Sequence, residues 1–259
     1  MSVPFFKYQG TGNDFVMIDN RDQLIHKSQQ EMFAFWCDRR FGIGADGVIL
    51  LQSHADHDFE MIYINADGRE GSMCGNGGRC AVQFAYDLGI VGSKTHFLAV
   101  DGVHYAEITE ELVQLQMQSA GFPIPAIDGG FFLNTGSPHH LAWVEDLKTF
   151  DVEKVGKAIR WHAHYMPGGT NVNFLEKKES NRLAVRTYER GVEAETYSCG
   201  TGVTAAALLL AYETGWNEKF EVAIQTAGGS LQVKARRTET GFDDIFLIGP
   251  AKRVFQGQL

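Results

Sequence analysis

Four short motifs occur twice in this chain, in the same order, and that duplication limits what the chain can fold into. Gly10-Thr11-Gly12-Asn13-Asp14-Phe15 returns 124 residues later as Asn134-Thr135-Gly136-Ser137-Pro138-His139. Tyr63-Ile64-Asn65-Ala66-Asp67-Gly68 returns as Thr187-Tyr188-Glu189-Arg190-Gly191, and Cys74-Gly75-Asn76-Gly77 returns as Cys199-Gly200-Thr201-Gly202. The segments after the cysteines close alike, with Ala85-Tyr86-Asp87-Leu88-Gly89 against Ala211-Tyr212-Glu213-Thr214-Gly215. Ordered matches of this kind predict two homologous halves. With 259 residues, each half is long enough to bury a core.

Period-two alternation predicts strands at Phe59–Asn65, Leu112–Gln118, Arg182–Tyr188 and Phe220–Thr226. Gly75 to Leu88 and Gly200 to Thr214 read as helices instead, each nearly apolar throughout and therefore buried. The expected fold class is α/β (α+β): two pseudo-symmetric domains, each of β-strands wrapped around a central buried helix. The break is expected near Ala120–Gly130, where Pro123, Pro125 and Gly129-Gly130 cluster. The expected halves are residues 1–119 and 120–244.

The net charge of −9 opposes nucleic-acid binding, and no run of Lys and Arg offsets it. The longest apolar run, Ala205 to Tyr212, is far below the ~18 residues of a membrane span. No secretory leader is visible, and the four cysteines form no pair of close Cys-x-x-Cys motifs. A cytoplasmic protein with reduced thiols, no structural metal, no nucleic-acid partner and no membrane partner is expected.

Cys74 and Cys199 stand immediately before glycine-containing helix starts. The first backbone N–H groups of a helix lack internal partners and carry partial positive charge. A thiolate there is stabilised, and the same donors can hold a carboxylate that glycine lets approach closely. Cys37, in the apolar Phe33–Trp36 stretch, and Cys80, inside a buried helix, read as packed thiols. Two thiols serving one small site can invert a carbon acid, one removing the α-proton and the other protonating the opposite face. Helix N-termini aimed at the adjacent carboxylate would stabilise the charge as it develops. The residues alone thus reach a racemase or epimerase of a carboxylate substrate, with a non-catalytic dithiol redox protein as the alternative from another class.

Across nearly its whole length the chain resembles the diaminopimelate epimerases. The resemblance rests on Lys7–Phe15, Asn65-Ala66-Asp67-Gly68, Cys74–Cys80, Pro138-His139, Asn171, Glu189-Arg190-Gly191 and Cys199-Gly200-Thr201-Gly202. It implies a last strand, about Ile245–Phe255, that returns the segment 245–259 to the first domain. It further implies that Cys74 and Cys199 are the acid/base thiols, and that Gly75, Asn76, Gly200 and Thr201 bind the reacting α-carboxylate. Asn13, Asn65, Asn171 and Arg190 would hold the polar ends of diaminopimelate, with Ser137 where many members carry Asn. His139 and Glu189 would sit beside the thiols and assist their protonation states. The span from Glu189 to Cys199 is one residue longer than the commoner spacing, which leaves Glu193 and Glu195 unassigned. The implied activity is epimerisation of LL- to meso-diaminopimelate in lysine and peptidoglycan-precursor synthesis, by a homodimer and without a cofactor. A proline or hydroxyproline racemase is the nearest enzyme alternative.

Proton transfer between two thiols needs neither pyridoxal phosphate nor metal, and the sequence carries no recognisable phosphate loop or metal-ligand cluster. Turnover is expected to survive exhaustive chelation and a carbonyl reagent that traps pyridoxal; loss of activity under either treatment would contradict this.

Overall fold

The computed structural model describes residues 3–259, which divide into two compact units. One comprises residues 3–115 together with 249–259, and the other comprises residues 116–248. The first unit begins with β1 (Pro4–Gly10), β2 (Asn13–Asp19), α1 (Gln30–Cys37), β3 (Gly47–Gln52) and β4 (Phe59–Asn65). It continues with α2 (Gly75–Asp87), β5 (Lys94–Ala99), β6 (Gly102–Thr109) and β7 (Leu112–Gln116). The second opens with two short strands, β8 (Ala120–Gly121) and β9 (Ile124–Pro125). There follow β10 (Phe131–Asn134), β11 (Pro138–Trp143), α3 (Val152–Arg160), β12 (Asn171–Glu179), β13 (Arg182–Glu189) and β14 (Ala194–Thr196). α4 (Gly200–Thr214), β15 (Lys219–Thr226), β16 (Gly229–Arg237) and β17 (Gly241–Pro250) complete it.

The repeat read from sequence is a repeat of topology. In the first unit β1 and β2 are antiparallel, β2 and β3 parallel, β3 and β4 antiparallel, β4 and β5 parallel, and β5 and β6 antiparallel. In the second unit β10, β11, β12, β13, β15 and β16 pair in the same alternation. Each parallel step requires a crossover, which α1 and α2 supply in one unit and α3 and α4 in the other. The stretch expected to run as one strand from Ile245 to Phe255 is two strands. β17 ends at Pro250, which has no N–H to continue a ladder, and β18 (Lys252–Gln258) pairs antiparallel with β1.

Each unit encloses one helix almost completely. In α4 every residue from Gly200 to Ala211 is buried, so the helix has no polar face to show to water. It ends on Gly215, whose φ of 73° lies in the left-handed region that glycine adopts without strain. α2 is buried from Gly75 to Ala85 except at Gln83, and Phe84 packs its ring against Phe6 and Tyr8 of β1. The shorter helices lie over separate clusters. Phe33, Trp36 and Cys37 of α1 join Val16, Ile18, Val48 and Leu50, while Val152 and Ile159 of α3 join Val172, Phe174 and Tyr188.

Burying one large aliphatic side chain contributes ~1.5–3 kcal/mol, so the leucines of α4 are a principal source of stability in their unit. Leu209 is fully buried. Leu209→Ala is expected to cost about 2–5 kcal/mol in urea unfolding; a loss below about 0.5 kcal/mol would place the side chain outside the packed core.

Candidate active site

Cys74 caps α2 with extended backbone (φ −112°, ψ 115°), and Cys199 caps α4 with nearly the same angles (φ −115°, ψ 112°). In each helix the first backbone bond closes four residues on, Gly78 N–H to the Cys74 carbonyl at 2.7 Å and Val203 N–H to the Cys199 carbonyl at 2.9 Å. The N–H groups of the three residues between are left outside the helical ladder, as at any helix start. Two polypeptide cradles of one shape therefore occur, one in each unit.

Their surroundings differ. Around Cys74, which is half-buried, the sulfur accepts from Gly77 N–H at 3.5 Å. The side chain of Asn76, fully buried, donates through Nδ2 to Asn13 Oδ1. Asn13 in turn donates to Asp46 at 3.0 Å. Arg39 spans Asp14 and Asp46, and Lys7 pairs with Asp14 at 2.8 Å. Burial pushes the Asp14 carboxyl up, but Arg39 and Lys7 outweigh it and hold it below the usual carboxylate range. Arg79, one turn into α2, is fully buried and donates to Thr11 Oγ1 at 2.6 Å and to the Gly75 carbonyl at 3.3 Å. Burial lowers its pKa to about 10, opposed by the neighbouring Cys80 and Cys74 sulfurs, so it remains a cation at neutral pH. Asn65 ends β4 at a tight turn, its N–H bonded to the Arg69 carbonyl at 2.8 Å.

Cys199 is buried and its sulfur lies 3.5 Å from Thr201 Oγ1. Thr201 Oγ1 is also 2.9 Å from His139 Nε2, and the Thr201 carbonyl accepts from Thr135 Oγ1 at 2.8 Å. Asn171, at the start of β12, donates to Ser137 Oγ and to the Pro138 carbonyl, both at 3.0 Å, and accepts from Arg190 N–H at 2.9 Å. Arg190 is half-buried and reaches the Gly168 carbonyl at 3.3 Å. Glu189 accepts from Thr196 Oγ1 at 2.9 Å. The second unit thus holds Cys199, Thr201 and His139 in one set of bonds and Ser137, Asn171 and Arg190 in another. The first gathers Asn13, Asn76 and Cys74.

In the turn between β13 and β14, Glu193 has a left-handed φ of 59°. Glu193 pairs with Arg160 at 2.9 Å, and Glu195 holds Arg186 through two bonds of 2.6 and 2.7 Å. Both glutamates are therefore engaged in ion pairs within this unit. Burial pushes the Cys37 and Cys80 thiols up to about 12, which suits packed and unreactive sulfur. Sequence reasoning missed Asp46, Arg79, Asn173 and Thr187. Arg79 had a signal, a lone cation in an otherwise buried helix. Among the described residues no group of three or more His, Cys, Asp or Glu is arranged to hold a metal ion, and no helix is long and apolar enough to cross a membrane.

The family model for diaminopimelate epimerase matches residues 5–121 and 131–254. A diaminopimelate epimerase of Flavobacterium psychrophilum is 47% identical, over 98% of this chain and 99% of that protein. One of Aquifex aeolicus is 41% identical over 99% of this chain and 98% of its own. Among solved structures, a PhzF-family phenazine biosynthesis protein of Bacillus anthracis superposes with a TM-score of 0.81 at 14% identity, covering 100% of this chain and 99% of that one. A hydroxyproline epimerase of Agrobacterium vitis superposes at 0.70 and 13% identity, covering 100% and 92%. At such identities these two likenesses are of fold.

Burial drives the His139 imidazole down to about 3, with the Arg190 charge adding to it, and burial drives His140 down to about 4. Unfolded histidines titrate near 6.5, so between these values the unfolded chain binds more protons than the folded one. Stability is then full above about pH 6.5 and falls as pH drops, by up to about 1.4 kcal/mol per pH unit for each histidine. Urea midpoints should fall steeply from pH 6.5 to pH 5 and less steeply in His140→Gln; equal slopes in both proteins would show that His140 is not held neutral.

Proposed function

The chain belongs to the diaminopimelate epimerase family, and from that premise we propose that it inverts one α-carbon of diaminopimelate with Cys74 and Cys199 as the acid/base pair. The family's activity is that of an isomerase, the interconversion of LL- and meso-diaminopimelate in lysine biosynthesis. The observation that carries the reading is the duplicated cradle, a cysteine with the same backbone angles at the start of a buried helix in each unit.

In this reading one cysteine is a thiolate and takes the α-proton, while the other is a thiol and delivers its proton to the opposite face. The α-proton of an amino acid is a weak acid because its carboxylate is already negative. The N–H groups at Gly75, Asn76, Gly200 and Thr201 lower that barrier by meeting charge that grows on the carboxylate oxygens as the proton leaves. Such donors sit at fixed positions in a low-dielectric surround and need no reorganisation during the reaction. Arg190, whose planar guanidinium suits two parallel bonds to a carboxylate, would grip the distal end together with Asn171, Ser137, Asn13 and Asn65. His139 and Glu189 would tune the sulfur beside them. The exchange moves protons only, and in this reading the two thiols carry it without a cofactor. The protein would work in the cytoplasm, and as a homodimer.

Neither alternative has comparable support. The likeness to a hydroxyproline epimerase is one of fold at 13% identity, whereas the matches to diaminopimelate epimerases run the whole chain at 41–47%.

Two fixed bases leave an isotopic signature. In deuterium oxide the protonating thiol has exchanged with solvent before LL-diaminopimelate binds, whereas the removed proton stays on the opposite sulfur. Early product is expected to carry deuterium at the inverted carbon while recovered substrate stays protonated. Either Cys74→Ala or Cys199→Ala should reduce complete epimerisation by at least about 10³-fold, since each removes an obligatory acid or base. Heavy labelling of recovered substrate at low conversion, or normal turnover without either cysteine, would exclude the two-thiol mechanism.

A further inference from the structure

Behind the Cys199 cradle lies a polar side chain that the reaction as described does not use. Asn173 sits in β12, is fully buried, and points at the first turn of α4, where a Cβ added to Gly202 would run into its Oδ1. Its amide orientation is set by its neighbours. One side lies 3.1 Å from the His140 carbonyl, which can only accept, so that side must be Nδ2. The opposite atom, Oδ1, accepts from Thr187 Oγ1 at 2.9 Å. The remaining hydrogen of Nδ2 lies on His139 Nδ1 at 3.0 Å.

A ring nitrogen that accepts carries no proton. The His139 ring proton is therefore on Nε2, which faces Thr201 Oγ1 at 2.9 Å. An imidazolium would set N–H against N–H at the Asn173 contact. Thr201, receiving the Nε2 proton on its oxygen, keeps its own hydrogen to offer to Cys199 Sγ at 3.5 Å. We infer that Asn173 is a positioning residue that locks His139 in the neutral Nε2–H tautomer and so makes Thr201 a hydrogen-bond donor to the Cys199 sulfur.

The burial that keeps His139 neutral acts in the same direction, as does the nearby Arg190 charge. His139 in this arrangement is not a base for Cys199, because the nitrogen nearest Thr201 already bears a proton. It is the anchor of a donor chain, Asn173 to His139 to Thr201 to Cys199, that favours the thiolate of Cys199 over the thiol. A hydroxyl held in this way also turns over readily. When Cys199 is protonated, its S–H can donate to the second lone pair of Thr201 Oγ1 without any change at His139. The same chain therefore serves the sulfur in both of its states. The inference rests on the reading of Cys199 as an acid/base thiol, and its test is made without substrate so that the two can fail separately.

Long-range proton–nitrogen NMR of the full-length protein, with His139 assigned by its absence in His139→Gln, reports which ring nitrogen is protonated. A protonated Nε2 and an unprotonated Nδ1 are expected from about pH 6 to pH 8. Asn173→Asp replaces the donor at Nδ1 with an acceptor. It should move the proton to Nδ1 and slow iodoacetamide alkylation of Cys199 at neutral pH by about tenfold, the equivalent of one pKa unit. Alkylation of Cys74, mapped in the same digest, should change by less than about twofold. A wild-type His139 protonated on Nδ1 or on both nitrogens would overturn the inference, whether or not the variant folds. So would an Asn173→Asp protein whose tautomer and Cys199 alkylation match wild type. Failure of the epimerase reading would instead appear as absent turnover with the tautomer intact.

Discussion

A helix with no wet face still has to do something with the N–H groups of its first turn. In α4 that constraint is severe, because twelve consecutive residues from Gly200 are buried and water cannot serve as the missing partner along the helix body. The chain meets it by opening the N-terminus onto a cysteine, glycine and hydroxyl group, and α2 meets it in the same way with Cys74, Gly75 and the Asn76 amide. Strand order, the parallel steps and the apolar helix sequences all follow from enclosing these two helices. On the proposed reaction, the chemistry follows from the N–H groups that their first turns leave without helical partners. In that reaction a substrate carboxylate is the ligand that meets these donors, with a cysteine sulfur held at the same helix end.

Duplication has produced equal backbones and unequal sites. Arg79 in α2 and Thr204 in α4 occupy the same place after their cysteines, and each donates to the carbonyl of the first helical residue, at 3.3 Å to Gly75 and 2.9 Å to Gly200. One carries a full charge into a dry interior and the other carries none. The Cys74 half thus has a buried cation near its sulfur, while the Cys199 half has the hydroxyl of Thr201 and the ring behind it. On the proposed reaction, inversion begins with one sulfur ionised and the other protonated. Two thiols in identical surroundings would titrate together, whereas different surroundings separate them.

Much of this was legible in the sequence for a physical reason: glycine-flanked cysteines and uninterrupted apolar runs are local signals, and they sit at the helix starts where they were read. α2 and α4 begin at Gly75 and Gly200 as expected, and the strand at Phe59–Asn65 has the expected bounds. α1 offered no such signal, because Gln29 makes no side-chain cap and the helix is one short segment over a core. α3 did offer one, with Asp151 capping Lys154 N–H and Val152, Val155 and Ile159 on one face, but nine residues give few turns over which to see the period. Asn173 could not be read at all. In β12 it is a polar residue among buried neighbours, and only the placing of β11 and β13 on either side of that strand shows that its amide has three partners.

The turn between β13 and β14 shows how residues at a strand end are held in place. Glu189 and Arg190 lie at the end of β13, where a looser turn would let them drift from Asn171 and Thr196. The turn is tied down on both sides instead. Glu193 reaches Arg160 at the end of α3, Gly191 N–H bonds to the same carboxylate at 3.0 Å, and Tyr188 OH holds the Glu193 carbonyl at 2.8 Å. Glu195 holds Arg186 within the hairpin, and its N–H reaches Glu153 of α3 at 2.7 Å. Arg160 is only 7% exposed, so removing Glu193 would strand a buried charge, a change that costs ~3–5 kcal/mol in comparable cases. The left-handed backbone at Glu193 costs ~1–3 kcal/mol, and these bonds hold it there. The α3 helix, remote from the cysteines in the chain, thereby anchors the turn that carries Arg190.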